Sequence, residues 1–392
     1  MKILIVNTMY SPSKVGGAEI SVQSLAEGFH KKGHQVIIVS LFSENKVYQV
    51  NGLPVINRKI ENIYWPFSDK KQSIIKRILW HYKDSNNNRY DSFFLDLFKK
   101  ESPDILFTNN LSGFSANVWE IARNEGIKVV HTLRDYYLQC PNSTKFKNNT
   151  NCIGQCFECK VITKRKKTLS HKVDYVFGIS RYILNNHLEY GYFKGVSNSV
   201  IYNGFDVQFR AKTNHTSTIR LGFMGQINPS KGVALLIECL NEFEGLNWEL
   251  KIAGNISDNY KKKLREINPS PKIQFLGYMK SSPFFETIDI LVVPSLWNEP
   301  FGRVVIEAIM NSTPVLGADV GGIPELLLHN PNFLFHPDSL GLKKKLKEII
   351  TNPKVLQEFN YNPSFMQQFA IENSVNQYIN IFESILAKTN ED

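Results

Sequence analysis

The chain has 392 residues, of which 42% are hydrophobic and 21% charged, and it carries five cysteines and a net charge of +10. That is ordinary globular composition, long enough for two or three domains, and five cysteines over this length exclude a disulfide scaffold. No run of about 18 apolar residues appears, and the opening Met-Lys-Ile-Leu-Ile-Val is too short for a signal-peptide core. A cytoplasmic protein is therefore expected. The charge is uneven: residues 1–205 hold 28 Lys+Arg against 16 Asp+Glu, a surplus of 12, while the remainder holds 18 against 20. The first half attracts anions such as phosphorylated substrates, anionic lipid or nucleic acid, and the second does not.

In chain order, KILIVNTMY reads as a strand, AEISVQSLAEGFHKKG as a helix, and QVIIVSLF, DILFTNN, KVVHTL and DYVFGIS as further strands. These runs are short, β-branched and not alternating, as in strands buried on both faces of a parallel sheet. The pattern repeats more clearly beyond residue 205. IRLGFMG, WELKIAG, IQFLGY, DILVVPS and PVLGAD are strands, separated by helices that include 230–244 and 301–311. Strand–helix alternation predicts two doubly wound parallel domains joined near IYNGFD, residues 201–206, where Asn-Gly breaks the pattern. The final run, IENSVNQYINIFESILAK, has helical spacing, and Cys239 in VALLIECL reads as a core residue.

Ligands of such sheets bind outside the carboxyl ends of the strands. Four strand-to-helix loops carry the chemistry. Gly16 and Gly17 in SPSKVGGAE allow close approach of backbone to a ligand at a helix N-terminus; an ordinary tight turn is the plain alternative. GQINPSKG places Lys231 within reach of a phosphate held at the next helix, or leaves it as solvated surface. PSLWNEPFGRVVIEAIM is the most specific: Glu299 lies just before a helix start and Glu307 about two turns in. The two acids suit a general acid–base pair, or one sugar contact and one ribose contact, since a carboxylate accepts two hydroxyls at once. The plain alternative, a surface helix with an acidic start, leaves Val304, Val305 and Ile306 unexplained. ADVGGIPE is a further glycine loop.

With VGGAE, IYNGFD, GQINPSKG, NEPFGRVVIEA and GADVGGIPE in this order and spacing, the chain resembles the family-4 retaining glycosyltransferases over nearly its whole length. The resemblance implies the α/β GT-B fold: two Rossmann-like domains facing a central cleft, with the C-terminal helix packing back on the N-terminal domain. The expected domains are an acceptor-binding domain 1–203 with a cysteine-rich insert at about 138–167, a nucleotide-sugar domain 204–368, and a returning helix 369–392. It implies transfer of a hexose-type sugar from a UDP- or GDP-sugar to a lipid-linked or polysaccharide acceptor, with retention and no catalytic metal. The chain has no Asp-x-Asp pair to hold one. Glu299 would contact the donor sugar, Glu307 the ribose, and backbone at Phe301 and Gly302 the sugar or phosphate. Lys231 would neutralise the diphosphate, Gly16 and Gly17 would bring the first domain against the donor, and Tyr278 would lie near the base. Two positions depart from the family. Gln226 stands where Arg is common, and Arg134–Asp135 stands where a His-Asp pair is frequent, with His131 three residues earlier. Asp135 joins Glu299 and Lys231 as a catalytic candidate. The mechanism implied is front-face displacement in which the leaving diphosphate accepts the acceptor's proton, while the protein positions the reactants and stabilises charge.

Cys152, Cys156 and Cys159 sit within CIGQCFEC, with Cys140 twelve residues earlier. Four cysteines in a reducing compartment suit a structural zinc site. The spacing of the three also matches the iron–sulfur motif of radical SAM enzymes, but such a motif normally follows a first strand, not a mid-chain insert; disulfides or free thiols are the third alternative. SIIKRILWHYK (73–83) mixes apolar residues at helical spacing with Lys76, Arg77 and Lys83, and KRKK follows at 164–167. Such a segment lies either on an anionic membrane or against the core. A peripheral site on the inner membrane face is thus expected, and a nucleic-acid partner has no motif behind it. A GT-B-fold epimerase or hydrolase acting on the nucleotide-sugar alone is the alternative activity.

Overall fold

The computed structural model describes residues 1–13, 16–66, 72–206 and 218–388. Lys14 and Val15 of the first glycine loop lie outside them. The chain divides into two compact units: Met1–Lys145, Ile153–Asp206 and Gln368–Asp392 form the first, Phe146–Cys152 and Val207–Gln367 the second.

Up to the end of the first half the elements are β1 (Lys2–Val6), α1 (Gly17–Lys31), β2 (Gln35–Phe42), β3 (Lys46–Val50), β4 (Leu53–Lys59), α2 (Ile74–Ser85), α3 (Asp91–Glu101), β5 (Ile105–Thr108), α4 (Asn117–Asn124) and β6 (Lys128–Leu133). A two-stranded hairpin, β7 (Phe146–Lys147) with β8 (Thr150–Asn151), precedes α5 (Phe157–Leu169), β9 (Tyr175–Gly178), α6 (Arg181–Glu189) and β10 (Ser197–Val200). The first unit holds one eight-stranded sheet in the order β10-β9-β6-β5-β1-β2-β4-β3. The order reverses between β1 and β5, both parallel neighbours. Ile3, Leu4, Ile5 and Val6 are fully buried in succession, which is why β1 shows no alternation.

The sheet is not purely parallel, as strand–helix alternation alone would have it. β3 pairs antiparallel with β4 at the edge. The cause is local: Asn51 and Gly52 join the strands with φ of 50° and 82°. Positive φ at both residues of a two-residue loop is the turn that matches strand twist, and Asn-Gly is its preferred pair.

The last helix, α14 (Ile371–Ala387), packs against α1 in the first unit. Backbone bonds on both sides of Phe205 lead it in, from Phe205 N to Phe369 O and from Ile371 N to Phe205 O, each 2.8 Å. Its Tyr378 and Phe382 then join Phe29, Phe107 and Phe177 in an aromatic cluster with centroids 4.7–6.3 Å apart. Each such pair adds about 0.5–1.5 kcal/mol beyond its buried area, so the helix is fixed by several independent contacts.

Beneath α2 and α5 lies a buried ion pair. Lys166 Nζ is 3.2 Å from Asp84 Oδ2, with both side chains 1% exposed. Tyr137 donates to the same carboxylate at 2.8 Å, and Lys166 lies 3.3 Å from the Tyr137 ring centroid. Asp84 Oδ1 also accepts from Gly113 N at 2.6 Å. Removing one partner of a buried pair costs about 3–5 kcal/mol because the other is left charged and unpaired.

The second unit contains β11 (Ile219–Met224), α7 (Val233–Leu240), β12 (Trp248–Ala253), α8 (Asp258–Ile267), β13 (Ile273–Gly277), α9 (Ser281–Glu286), β14 (Ile290–Val293), α10 (Arg303–Met310), β15 (Val315–Ala318), α11 (Ile323–Leu326), β16 (Leu334–Phe335), α12 (Ser339–Thr351) and α13 (Pro363–Gln367). Its sheet is wholly parallel, in the order β13-β12-β11-β14-β15-β16, and reverses between β11 and β14. Arg220 and Asp289 lock these two strands at their start, with Nη2 to Oδ1 at 2.6 Å. The helix expected over 230–244 is interrupted: a 3-10 turn spans Pro229–Lys231 and α7 begins only after Gly232. Cys239 on α7 is fully buried, and Val305 and Ile306 on α10 are core residues, which accounts for the apolar neighbours of Glu307. Among the described residues no helix is long and apolar enough to cross a membrane.

Candidate functional site

In the second unit the loops after β11 and β14 leave the sheet side by side, at the point where strand order reverses. They are stitched together. Leu296 N and Trp297 N both donate to Ser230 O, at 3.0 and 3.1 Å. The contact requires glycine. Gly232 has φ 70°, and a Cβ there would lie 1.7 Å from Pro294 O. A third loop closes on the same point: Gly322 N donates to Glu299 O at 2.7 Å, and a Cβ on Gly321, at φ 60°, would lie 2.2 Å from that oxygen. The three glycine loops named in the sequence thus share one purpose in this unit, which is to hold residues 294–302.

That segment carries Glu299, 8% exposed. Its Oε1 accepts from Lys231 Nζ at 2.6 Å and from Ser295 Oγ at 3.0 Å. Lys231 also lies 4.8 Å from the Trp297 ring centroid. Glu299 and Lys231, far apart in sequence, are therefore one ion pair at the switch point. Phe301 is buried, and Gly302 takes φ 100° at the start of α10, whose first-turn amides have no side-chain cap. Glu307, half-buried on the same helix, accepts from Arg303 Nε at 2.8 Å. Gln226 is exposed just beyond β11, and Tyr278 is exposed just beyond β13. Cation, carboxylates and helix amides at one sheet edge can bind a polyhydroxylated anion.

The first unit presents a different set at the carboxyl ends of β1, β5 and β6. Gly16 caps α1 in an extended conformation, its N–H donating to Glu19 Oε2 at 2.9 Å, and Gly17 begins the helix. Burial pushes the Glu19 carboxyl above its ordinary value, against the favourable bond from Gly16. Asp135 Oδ2 accepts from Asn110 Nδ2 at 2.8 Å, and Oδ1 from Tyr137 N at 2.7 Å. Desolvation raises its pKa to about 6. Arg134 donates through Nε to Asn109 Oδ1 at 2.8 Å and through Nη1 to Asn203 Oδ1 at 2.7 Å. Tyr10 Oη and Asn109 Nδ2 are buried without a hydrogen-bond partner among the described residues. His131 is no part of this set. It lies inside β6 against Trp119 and Phe193, bonded through Nδ1 to Thr108 Oγ1 at 2.9 Å, and burial lowers its pKa to about 3.

Two family models cover the chain in succession: Glycosyltransferase Family 4 matches residues 15–209, and Glycosyl transferases group 1 matches residues 205–363. An uncharacterized 42.6 kDa protein in the cps region of Klebsiella pneumoniae is 38% identical over 86% of this chain and 90% of its own length. The chain belongs to the family-4 glycosyltransferases. Solved GT-B structures share its fold. Sucrose-phosphate synthase from Thermosynechococcus elongatus superposes with a TM-score of 0.77 at 17% identity, covering 99% of both chains. Anabaena HepE in complex with UDP and glucose superposes with a TM-score of 0.70 at 18% identity, covering 98% of this chain and 100% of its own.

In this glycosyltransferase the insert cysteines are only partly gathered. The Cys159 thiol is hydrogen-bonded to Cys140 and to Cys156, which drives Cys140 down to about 6 and Cys159 up. Cys152 belongs with the hairpin that clusters in the second unit. None of the five cysteines forms a disulfide, and among the described residues no three His, Cys, Asp or Glu side chains converge to hold a metal ion.

Asn151 is a further functional residue of this site, which nothing in the sequence marks. Its side chain clamps the loop that leads to Glu299: Nδ2 donates to Leu296 O at 2.6 Å, and Oδ1 accepts from Asn298 N at 2.9 Å. No local pattern marks it, because its partners lie about 150 residues on. Asn109 and Asn110 did carry a signal, as paired amides directly after a buried strand. Asn151→Ala removes both clamp bonds, each contributing about 1 kcal/mol. Hydrogen exchange of the peptide containing Trp297–Glu299 should then accelerate by about 30-fold, with peptides of β11 and β12 unchanged. Unaltered exchange at 297–299 would show that the loop stands without the clamp.

Proposed function

We propose that this glycosyltransferase moves a hexose-type sugar from a UDP- or GDP-sugar to a lipid-linked or polysaccharide acceptor, with retention and without a catalytic metal. The observation that carries the reading is the Lys231–Glu299 pair at the switch point of the second sheet. A donor diphosphate there competes for the ammonium, and Glu299 then turns its oxygens to the sugar hydroxyls. Glu307 accepts from the ribose hydroxyls, backbone at Phe301 and Gly302 before α10 meets sugar or phosphate, and Tyr278 lies beside the base. The complex of Anabaena HepE with UDP and glucose supports a nucleotide-sugar donor on this fold.

In the transfer step the bond from the anomeric carbon to the diphosphate oxygen breaks as the acceptor oxygen bonds to that carbon from the same face. The departing phosphate oxygen takes the acceptor's proton. Lys231 stabilises the charge that develops on it, which is where preorganised electrostatics contribute most. The first unit would receive the acceptor. Gly16 and Gly17 approach the donor by backbone, Asp135 accepts from an acceptor hydroxyl, and the buried Tyr10 Oη and Asn109 Nδ2 have bonding capacity to offer.

Thermal unfolding with a panel of UDP- and GDP-sugars tests the donor. A ligand at 100 times its Kd stabilises by about 2.7 kcal/mol. One of the panel should raise the unfolding temperature of the native chain; Lys231→Met should abolish the shift, and Glu307→Ala should weaken affinity by about tenfold or more, the worth of a charged hydrogen bond. No shift with any donor, or shifts that both variants retain, would overturn the assignment.

We infer separately a structural zinc on the insert thiols, with Cys140, Cys152, Cys156 and Cys159 as the ligands. The soft thiolate set and the bonds of Cys159 to two other thiols support it. Chemistry at the switch point does not pass through it. Elemental analysis should find about one zinc per chain, the capacity of one four-cysteine site, with the metal lost in Cys156→Ser. Iron with sulfide, or no metal in protein prepared with zinc, would refute it.

A further inference from the structure

Among the described residues, half of the exposed large apolar side chains belong to two neighbouring helices and the turn before one of them. On α2, Ile74, Ile75, Ile78, Leu79 and Tyr82 are each 50–73% exposed. On the adjacent α5, Phe157 and Val161 are 80% and 56% exposed. Spacings of three, four and eight put each set on one helical face.

These helices are amphipathic in the reverse of the usual sense. A soluble helix turns its apolar stripe to the core. Here the inward faces carry buried polar groups beside one large apolar residue each, Trp80 and Leu169: Asp84 from α2 and Lys166 from α5 both reach Tyr137, with Thr163 beside Lys166 on α5. Because both helices are anchored inward on the same tyrosine, the apolar stripes point away from the unit. A rim of cations borders them. Lys76, Arg77, Lys160 and Lys164 are exposed and Lys83 and Lys167 half-buried, against a single exposed acid on these two helices, Glu158, while Arg165 turns to Glu120 on α4 at 3.5 Å.

We propose that the outer face of α2 and α5 docks on an anionic lipid bilayer, the apolar stripes entering the headgroup boundary and the cations meeting lipid phosphates. A protein partner would need acidic groups around an apolar centre. A bilayer supplies both over any area, and a helix lying flat with apolar residues below and basic residues at its rim has the interfacial geometry. Attraction of each cation is lost beyond about a Debye length, about 10 Å at 0.1 M salt. The face deepens the reading of a lipid-linked acceptor, since it would hold the first unit where such an acceptor lies.

Flotation of the full chain with phosphatidylcholine vesicles, with and without phosphatidylglycerol, tests this. Native protein should float with anionic vesicles at low salt and much less with neutral ones. K76Q/K160Q/K164Q should lower partitioning by about 100-fold at low salt. I75S/I78S/F157S should abolish the binding that survives high salt. Both variants change exposed side chains and should unfold at the native temperature and keep the donor shift, so a failure here is separable from a failure of the donor assignment. Native protein that stays below anionic vesicles at low salt overturns the proposal. So does a dimer in sedimentation that I75S/I78S/F157S dissociates, which would assign the face to a second copy of the chain.

Discussion

Glu299 is held through both its backbone and its side chain. Its carbonyl accepts from Gly322, its carboxylate from Lys231 and Ser295, and the clamp at Asn151 fixes the residue before it. Lys231 comes from the loop after β11, Gly322 from the loop after β15 and Asn151 from the β7–β8 hairpin, while Ser295 lies in the same loop as Glu299, so the geometry at this one residue requires β11, β14 and β15 to lie side by side in the second sheet. The glycines are part of the same constraint. A side chain at position 232 or 321 would meet backbone oxygen at 1.7 or 2.2 Å, and backbone cannot move aside without carrying Pro294 or Glu299 with it. Preorganisation of this kind lets a single cation and a helix start act on a diphosphate without reorganising at the moment of reaction.

The first unit uses different means. Its carboxyl-end groups are amides, a carboxylate and a guanidinium in two adjacent hydrogen-bonded sets, Asn7 with Asn110 and Asp135, and Asn109 with Arg134. Desolvation by burial raises Asp135 to about 6, and Tyr10 Oη and Asn109 Nδ2 have no hydrogen-bond partner among the described residues. Such groups suit the recognition of hydroxyls, whereas the second unit suits charge. Part of the cation surplus of the first half lies elsewhere, on the outer faces of α2 and α5.

Much of this was legible in the sequence, for physical reasons that differ by element. β2 and β6 stand where QVIIVSLF and KVVHTL end and begin, because strands buried on both faces leave uninterrupted apolar runs. β10 (SNSV) and β16 (LF) are too short or polar to be seen that way, and the β3–β4 edge shows itself only through Asn51–Gly52. The loops of the second site were visible because close approach of backbone demands glycine. What the loops do to each other was not: the Lys231–Glu299 bond spans 68 residues and the Asn151 clamp about twice that. For α2, periodicity shows which residues share a face but not which way that face points, and the burial of Trp80 and of the Asp84–Lys166 pair decides it.

The central claim is that a nucleotide-sugar sits on the loops after β11 and β14. Photolabelling with a 5-azido-uracil analogue of the UDP-sugar that best stabilises the chain, or the guanine equivalent, followed by mass spectrometric mapping, tests it most directly. The account predicts label on peptides of the second unit at the carboxyl ends of its strands, within 225–232, 277–280 or 294–307, and its loss on competition with unlabelled donor. Competable label confined to the first unit, or none at these loops, would contradict it.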